Sequence, residues 1–367
     1  MAIEKQIGEW FAHFHANPEV SWKEVETTKK IAEILTDMKV KHHTFDDVTG
    51  VVAEIGEGDQ IIAVRADIDA LWQEVDGVFR ANHSCGHDAN MSMVLGALSY
   101  LLEQQIGSRI RFIFQPAEEK GNGAKSMIER GAVDDVSHLF GVHLRPQEEI
   151  PFGKISPAIH HGAAIFLEGK VKGIDAHGAR PQQGKNALDP IFAIAQFLKT
   201  IHFSPYEAYS AKLTKVQAGG DSLNIIPGNA VFAIDVRAQS NAVLNELQGR
   251  IDGGIHSIAQ LYGVDIELNW SDYTPAAEVS EEAASIAKDA IIEAAGEGAF
   301  APAIITSGSD DFHFYTIHRP DLKATMIGVG ADLGPGLHHP DMTFNRDALD
   351  LGARVLAATL AKASFME

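Results

Sequence analysis

The sequence has little cysteine, few basic residues relative to acidic ones and no long apolar run, and each of these shortages excludes a class of protein. It has a single cysteine, Cys85, so no disulfide can form within the chain, and its 30 basic against 50 acidic residues give a formal net charge of -20. A chain this acidic repels phosphate backbones and anionic membranes. No apolar run reaches the roughly 18 residues of a membrane-spanning helix, and the opening MAIEKQIGEW lacks the layout of a signal peptide. We therefore expect a cytoplasmic protein that binds neither nucleic acid nor membrane.

The remaining composition is that of a globular protein. Hydrophobic residues make up 45% of the 367 residues and charged residues 22%, which excludes a collagen-like or disordered chain. The length favours two domains.

Short β-rich runs alternate with helical segments in the first third of the chain. The runs VVAEIG, IIAVRADID, RIRFIFQPAEE and HLFGVHL are apolar on both faces, and the segments NMSMVLGALSYLLEQQ and GAKSMIERGA separate the later ones. This alternation predicts a mainly parallel sheet flanked by helices, with chemistry at the carboxyl ends of its strands. Upstream, Ser21 and Glu24 have the spacing of a capping box that would begin an amphipathic helix.

The pattern changes after about residue 164. The order of strands and helices from there to Tyr273 is βαββαβ, the ferredoxin-like unit. The later helix EEAASIAKDAIIEAAG and strand ATMIGVG resume the first pattern. We predict an α/β catalytic domain of residues 1–163 plus 275–367, with an inserted α+β domain of residues 164–274 for dimerisation or as a lid.

Candidate metal ligands follow the predicted strands of the outer domain. A Cys-x-His pair precedes a helix, two adjacent glutamates end one strand, a histidine ends the next, and two more lie in a late Gly/Pro-rich loop: Cys85, His87, Glu118, Glu119, His143, His338 and His339. These residue types bind zinc or manganese. A Cys-His pair or a Glu-Glu pair alone is more often structural or solvated, so the prediction depends on their convergence. One glutamate could bind metal while its neighbour faces water.

Several motifs occur together in the order seen in one family. They are His15–Ser21 (HANPEVS), Arg65–Leu71 (RADIDAL), His83–Asp88 (HSCGHD), Gln115–Glu119 (QPAEE), Gly141–His143, His177–Pro181 (HGARP), Asn224–Pro227 (NIIP) and Gly308–Phe312 (GSDDF). The chain thus resembles the cysteine-containing branch of the aminoacylase/carboxypeptidase metallohydrolases, which includes hippurate hydrolases, N-acetyl-amino-acid deacetylases and auxin-conjugate hydrolases. The resemblance covers essentially the whole chain and implies a zinc-peptidase-like catalytic domain.

The resemblance implies a role for each matching residue. Two divalent metal ions per subunit, zinc or manganese with cobalt or nickel as other possibilities, would be bound by Cys85, His87, Glu119, His143 and His338. Cys85 would bridge them, and the family motif selects His338 over His339. Asp67 and Asp69 would be partners of the metal-binding histidines.

Other roles concern the inserted domain. The resemblance implies a homodimer in which His177 reaches the active site of the partner subunit. We also expect Asn224 and Arg237 to bind substrate.

The implied activity is hydrolysis of the amide bond of small N-acyl amino acids. A metal-bound water would attack the carbonyl, with Glu118 as general base. A dipeptidase or aminopeptidase of the same family is an alternative. Another is a non-catalytic metal- or ligand-binding relative, against which the retention of Glu118 argues. Cys85 as a covalent nucleophile is disfavoured, because a metal-bound thiolate does not easily act as one.

The chain departs from the family pattern at three places. Trp72 stands where proline is usual, Ala89-Asn90-Met91 replaces Gly-His-Thr, and Ile174-Asp175-Ala176 precedes His177. None of these changes removes a proposed ligand or base, but they leave the identity of the substrate open.

Overall fold

The computed structural model describes residues 2–366, which form two compact units. The first unit comprises the residues up to His160, then Glu278–Ile305 and the residues from Asp310 onward. The second comprises His161–Ala277 together with Thr306–Ser309.

The helices and strands follow in chain order. The helices are α1 (Ile3–Ala16), α2 (Val25–Asp37), α3 (His87–Leu101), α4 (Gly123–Glu129), α5 (Leu188–Leu198), α6 (Asn241–Tyr262), α7 (Glu281–Ala295), α8 (Phe314–His318) and α9 (Asp347–Ser364). The strands are β1 (Lys41–Thr44), β2 (Val51–Ile55), β3 (Ile61–Asp67), β4 (Leu71–Val75), β5 (Val78–Asn82), β6 (Arg109–Gln115), β7 (Val136–Pro146), β8 (Ile155–Ser156), β9 (Ile159–His161), β10 (Ala163–Lys172), β11 (Ala176–His177), β12 (Tyr209–Ala218), β13 (Ile225–Ile226), β14 (Asn229–Ala238), β15 (Asp265–Thr274), β16 (Ile304–Thr306) and β17 (Lys323–Leu333).

A seven-stranded sheet organises the first unit. Its order is β1-β2-β6-β3-β7-β17-β8; β6, β3, β7 and β17 are parallel, and β1, β2 and β8 pair antiparallel to their neighbours. This confirms the predicted α/β class. The parallel register pairs Asp67 with Gln115 and Arg65 with Gly141, so the segments that follow β3 and β6 and the end of β7 lie at one edge of the sheet.

Helix α3 lies inside the first unit and is buried on nearly every face, as expected for a helix that is apolar all round. It packs against α1 and α9. Gly96 allows this close approach, because a Cβ atom there would lie 2.5 Å from Ile7 and 2.8 Å from Ala353. Since α3 begins at His87, its packing fixes the start of the helix at the carboxyl edge of the sheet.

The second unit has the predicted βαββαβ order. Strands β10, β12, β14 and β15 form an antiparallel sheet in the order β12-β14-β10-β15, and helices α5 and α6 pack on it. The core of the unit lies between the sheet and these helices. A separate two-stranded ribbon joins β11 and β13.

Two local features differ from expectation. The predicted capping box is wrong: α2 begins at Val25 without a side-chain cap from Glu24, and the hydroxyl of Ser21 donates to Asp69 instead. The β4–β5 hairpin between β3 and α3 was not predicted. Across residues 2–366, each helix is too short or too polar to span a membrane.

Candidate metal centre

The first unit brings all five predicted metal ligands together in two triads that share one sulfur atom. Cys85, His87 and His143 form one triad, while Cys85, Glu119 and His338 form the other, and within each the ligand atoms lie within 4.8 Å of one another. The Sγ atom of Cys85 is 3.6 Å from Nε2 of His143. A side chain that belongs to both triads has the position that a bridging ligand requires.

The two buried histidines present the same ring nitrogen to the triads. Nδ1 of His87 lies 2.9 Å from the carbonyl oxygen of Asp69, and Nδ1 of His143 lies 2.7 Å from that of Leu144. A carbonyl can only accept, so each Nδ1 carries the proton. When the ring is neutral, each Nε2 therefore has a free lone pair, the usual arrangement of histidines that bind a metal through Nε2.

Two ligand atoms are buried without a hydrogen-bond partner, namely Nε2 of His87 and Oε1 of Glu119. His338 Nε2 lies 3.4 Å from Glu119 Oε1, but the pair makes no hydrogen bond. An unsatisfied buried polar atom costs about 1–3 kcal/mol. Both atoms belong to the triads, and thiolate, imidazole and carboxylate are ligands that suit zinc and related cations. The residues present therefore fit two divalent metal ions.

Of the two adjacent histidines in the late loop, His338 is the one that enters a triad. Its backbone has a φ of 66°, its N–H donates to the carbonyl of Ser84 at 2.7 Å, and its carbonyl accepts from Gln73 at 3.0 Å. By contrast, Nδ1 of His339 accepts from the N–H of Asp341 at 3.2 Å. The β4–β5 hairpin, which holds Gln73, thus fixes the loop with His338 facing Glu119.

Glu118 lies beside the triads that contain Cys85 and belongs to neither of them. Its Oε2 is 3.8 Å from Nε2 of His87. The carboxyl group of Glu118 also forms a cluster with the carboxyl groups of Asp310 and Asp311. Burial raises the pKa of Glu118 well above its usual value, and the negative charges of Asp310 and Glu119 raise this pKa further. Such a carboxyl group is suited to receiving and holding a proton.

Asp69 fixes the backbone of both glutamates. Its Oδ1 accepts from the N–H of Glu118 and its Oδ2 from the N–H of Glu119, each at 3.1 Å, and Oδ2 also accepts from Ser21 at 2.6 Å. Burial opposes ionisation of Asp69, but its interactions with His87, Ser21 and the N–H of Glu119 together outweigh burial and lower the pKa of Asp69. Asp69 is predicted from the sequence only as a partner of the histidines, whereas its carboxylate also orients Glu118 and Glu119.

Asp67 is held by a buried arginine, Arg65, for which the sequence motif alone predicts no role. Arg65 is fully buried and donates to Asp67 at 2.6 Å, to Asp311 at 2.7 Å and to Gln115 at 2.8 Å. Asn90, one of the departures from the family pattern, donates to the other oxygen of Asp67 at 2.8 Å. An arginine inside an apolar strand was the available signal, because a buried charge needs partners.

The second unit contains the other three predicted residues. His177 lies on the exposed β11–β13 ribbon, paired with Ile225, and the carbonyl of Asn224 accepts from the N–H of Gly178 at 2.7 Å. The N–H of Ala179 donates to Nδ1 of His177 at 3.0 Å. In the neutral imidazole the proton is therefore on Nε2, which makes this atom a hydrogen-bond donor.

Arg237 lies apart from the ribbon, on β14. Its guanidinium donates to both carboxylate oxygens of Asp235, at 2.9 and 3.3 Å, and to the carbonyl of Ser307 at 3.4 Å. A substrate carboxylate would thus have to share this arginine with Asp235.

Comparison with known proteins gives concordant results. The sequence model of the peptidase family M20/M25/M40 matches residues 63–362. The chain is 30% identical to an N-acetylcysteine deacetylase of Bacillus subtilis, over 94% of this chain and 93% of that protein. It is 30% identical to the IAA-amino acid hydrolase ILR1-like 2 of Arabidopsis thaliana, over 94% and 82%. A crystal structure of a dinuclear metal-binding peptidase from the M20 family of Bacillus subtilis superposes with a TM-score of 0.86 at 27% identity, covering 100% of this chain and 99% of that one.

Proposed function

The chain belongs to the peptidase family M20/M25/M40, and from this premise we propose that it is a metal-dependent amidohydrolase that cleaves small N-acylated amino acids. The two relatives are named for acting on N-acetylcysteine and on IAA-amino acid, and both names describe conjugated amino acids. The observation that supports the proposal most strongly is the pair of triads sharing Cys85 with Glu118 beside them.

The five residues of the triads would hold two divalent metal ions, zinc or manganese, with cobalt and nickel as further candidates. When bound, such ions polarise a carbonyl group and lower the pKa of water, to about 7 in zinc enzymes. Nδ1 of His87 and Nδ1 of His143, each bonded to a carbonyl, keep the rings oriented before any ion arrives. The carboxylate of Asp69 lies 3.3 Å from Nδ1 of His87 and helps to orient this ring. The carboxylate of Asp67 is held in turn by Arg65.

Glu118 moves the proton in the proposed reaction. As a carboxylate it accepts a proton from the attacking water, and as a carboxylic acid it returns that proton to the leaving nitrogen. The neighbouring charges of Asp310 and Asp311 favour the protonated state and so help Glu118 to hold the proton between the two transfers.

The second unit would contribute to substrate binding and to the transition state. The Nε2–H of His177 can donate to the oxyanion that develops on the carbonyl. We propose that His177 does so in the active site of the partner subunit of a homodimer, and that Asn224 and Arg237 bind the substrate. In this proposal residues 1–163 and 275–367 are the catalytic domain and residues 164–274 the dimerisation or lid domain. A cytoplasmic location suits the reduced thiol that Cys85 must keep.

A hydrolysis screen tests the proposed activity. The protein is stripped of metal, reloaded with zinc, manganese or cobalt, and offered acetyl-, benzoyl- and indoleacetyl-amino acids beside dipeptides. We expect free amino acid to be released from N-acyl substrates in a metal-dependent way. Cleavage of dipeptides alone would instead identify a dipeptidase, and metal binding without any hydrolysis would identify a non-catalytic relative.

Metal analysis of variants tests the ligands. Cys85→Ala should lose metal and activity, whereas Cys85→Asp should keep part of both, because a carboxylate can also bridge two ions. His338→Ala should lose metal, while the neighbouring His339→Ala is the matched control and should keep it. Full metal content in Cys85→Ala would contradict the bridging assignment.

A further inference from the structure

The turn that presents Glu118 and Glu119 has an unfavourable backbone conformation. Ala117 has φ 52° and ψ 41°, a left-handed conformation that costs a non-glycine residue roughly 1–2 kcal/mol. The turn is also tightly closed: the N–H of Gly123 donates to the carbonyl of Ala117 at 3.3 Å, and a Cβ atom at Gly123 would lie 1.7 Å from the carbonyl oxygen of Pro116. Such a conformation persists only where its surroundings hold it.

A carboxylate from a distant segment holds this turn. Oε1 of Glu24 accepts from the N–H of Ala117 at 2.9 Å, across 93 residues of sequence. Its Oε2 accepts from the hydroxyl of Thr49 at 2.6 Å. The side chain of Glu24 is fully buried, so both of its oxygen atoms depend on these partners.

Capping of helix α2 does not explain the burial of Glu24. The helix begins at Val25, and Glu24 makes no side-chain cap. The carboxylate of Glu19 takes that place, because its Oε2 accepts from the N–H of Thr27 at 2.7 Å. Glu24 is therefore free to point away from its own helix and toward the site.

Two buried carboxylates together bind three consecutive N–H groups. Glu24 accepts from Ala117, and Asp69 accepts from Glu118 and Glu119. Ser21, three residues before Glu24, donates to Asp69. Residues 21–24, which comprise the end of the HANPEVS motif and the sequence just after it, thus supply one of the two carboxylates and a hydrogen-bond donor to the other.

We infer that Glu24 is a positioning residue for the hydrolytic site: it holds the backbone of Ala117 so that Glu118 and Glu119 project in the geometry that the site needs. This inference deepens the proposed function and rests on it for its effect on catalysis. Displacement of a catalytic group by about 1 Å can reduce a rate by about 100-fold, and loss of a partner behind a metal ligand typically costs about 10–100-fold in activity or metal affinity.

The conservative substitution separates hydrogen bonding from mere filling of space. In Glu24→Gln the amide oxygen can accept from Ala117 while the amide NH₂ donates to the hydroxyl oxygen of Thr49, so both bonds survive. In Glu24→Ala the N–H of Ala117 is left buried without an acceptor. If the alanine variant does not fold, Glu24→Met keeps the volume without a strong acceptor and takes its place.

Hydrogen exchange of the Ala117 amide in the metal-free protein is the direct test. We expect exchange at least about tenfold faster in Glu24→Ala than in the wild type, and near wild-type exchange in Glu24→Gln. Glu19→Ala is the matched control, since it removes a carboxylate–amide bond from the same segment without reaching Ala117. Unchanged exchange in Glu24→Ala and Glu24→Met would overturn the inference.

Zinc affinity and kinetics test the consequence. Glu24→Ala should bind zinc about 10–100-fold more weakly and show a similar fall in kcat with a smaller change in KM, and Glu24→Gln should recover both. Equal losses in Glu19→Ala would mean that Glu24 has only a general structural role. If the loaded wild-type protein hydrolysed no acyl amino acid, the proposed function would fail, while exchange and zinc affinity would still decide the role of Glu24.

Discussion

The two units hold their predicted site residues in opposite ways. In the first, Cys85, His87 and His143 are buried and their neighbours shift their pKa values: burial raises the pKa of Cys85 and lowers that of His143. In the second, His177 is exposed and lies on a ribbon whose strands are two residues long. One set of residues is thus fixed by a core, and the other by a short local structure.

This difference has consequences for mutations. A buried, interlocked group serves stability, metal binding and chemistry together, so its replacement affects more than one of them. An exposed group on a ribbon can be replaced without disturbing a core. We therefore expect effects on metal content and folding to arise in the first unit, and effects on kcat alone to be possible in the second.

Glu118→Gln should have the largest effect on activity. It tests whether catalysis can be lost from the buried site while metal binding is kept. Loss of a general base should reduce kcat by about 10²–10⁴-fold, while elemental analysis should show unchanged metal content, because the five proposed ligands of the two Cys85 triads all remain. Glu119→Gln is the matched control and should lose metal as well. If Glu118→Gln lost its metal and activity merely followed, the roles of the two glutamates would be exchanged.

His177→Ala tests the exposed site. Removal of one oxyanion donor should reduce kcat by about 10²–10³-fold, with unchanged metal content and thermal unfolding because the side chain is exposed. His256→Ala, at another exposed histidine of the same unit, should keep full activity. A fall in metal content in His177→Ala would contradict the separation of roles.

Mixing two inactive variants tests whether His177 acts on the partner subunit. After subunit exchange, His177→Ala and Glu118→Gln should together regain up to about a quarter of wild-type activity, since each hybrid dimer has one intact site. Exchange confirmed by mass spectrometry without recovered activity would place His177 in the site of its own chain or outside catalysis.

The smallest expected effect is on the pH dependence of stability, and it distinguishes a buried from an exposed histidine of the first unit. Burial lowers the pKa of His313 from 6.5 to about 4. Between these pH values the unfolded chain gains a proton that folded His313 does not, so the free energy of unfolding should fall as pH falls, by up to about 3 kcal/mol. Denaturant unfolding should show a flatter pH dependence in His313→Gln, whereas His318→Gln, at an exposed position, should keep the wild-type slope. An unchanged slope in His313→Gln would refute the prediction.

Much of the fold was predictable because the hydrophobic patterns that indicate strands and helices are local in the sequence. The runs IIAVRADID and RIRFIFQ became the parallel strands β3 and β6, since continuous apolar character is what a strand buried on both faces requires. Strands β10 and β14 of the inserted unit instead alternate between buried and more exposed residues, as expected for an antiparallel sheet that is covered on one face. The candidate ligands were also predictable, because their chemical types and their places after strands are visible without coordinates. The resemblance to the family then selected Glu119 over Glu118 and His338 over His339 as ligands.

The partners of those residues were not predictable from local patterns. The spacing of Ser21 and Glu24 indicated a capping box, yet both side chains bind the site instead. Arg65 finds Asp311 across 246 residues of sequence. A hydrogen bond of this kind depends on which buried groups meet when the strands pair. The local sequence pattern does not indicate these long-range partners.

The sequence by itself therefore determined the α/β class, the inserted βαββαβ unit and the kinds of atoms available to a metal ion. Only the tertiary structure decided that Asp69 holds the N–H groups of Glu118 and Glu119, that Arg65 binds Asp311, and that Glu24 holds Ala117. The physical reason is that secondary structure follows from the periodicity of neighbouring side chains, whereas a buried polar group takes its partner from whatever the folded core places within hydrogen-bond distance.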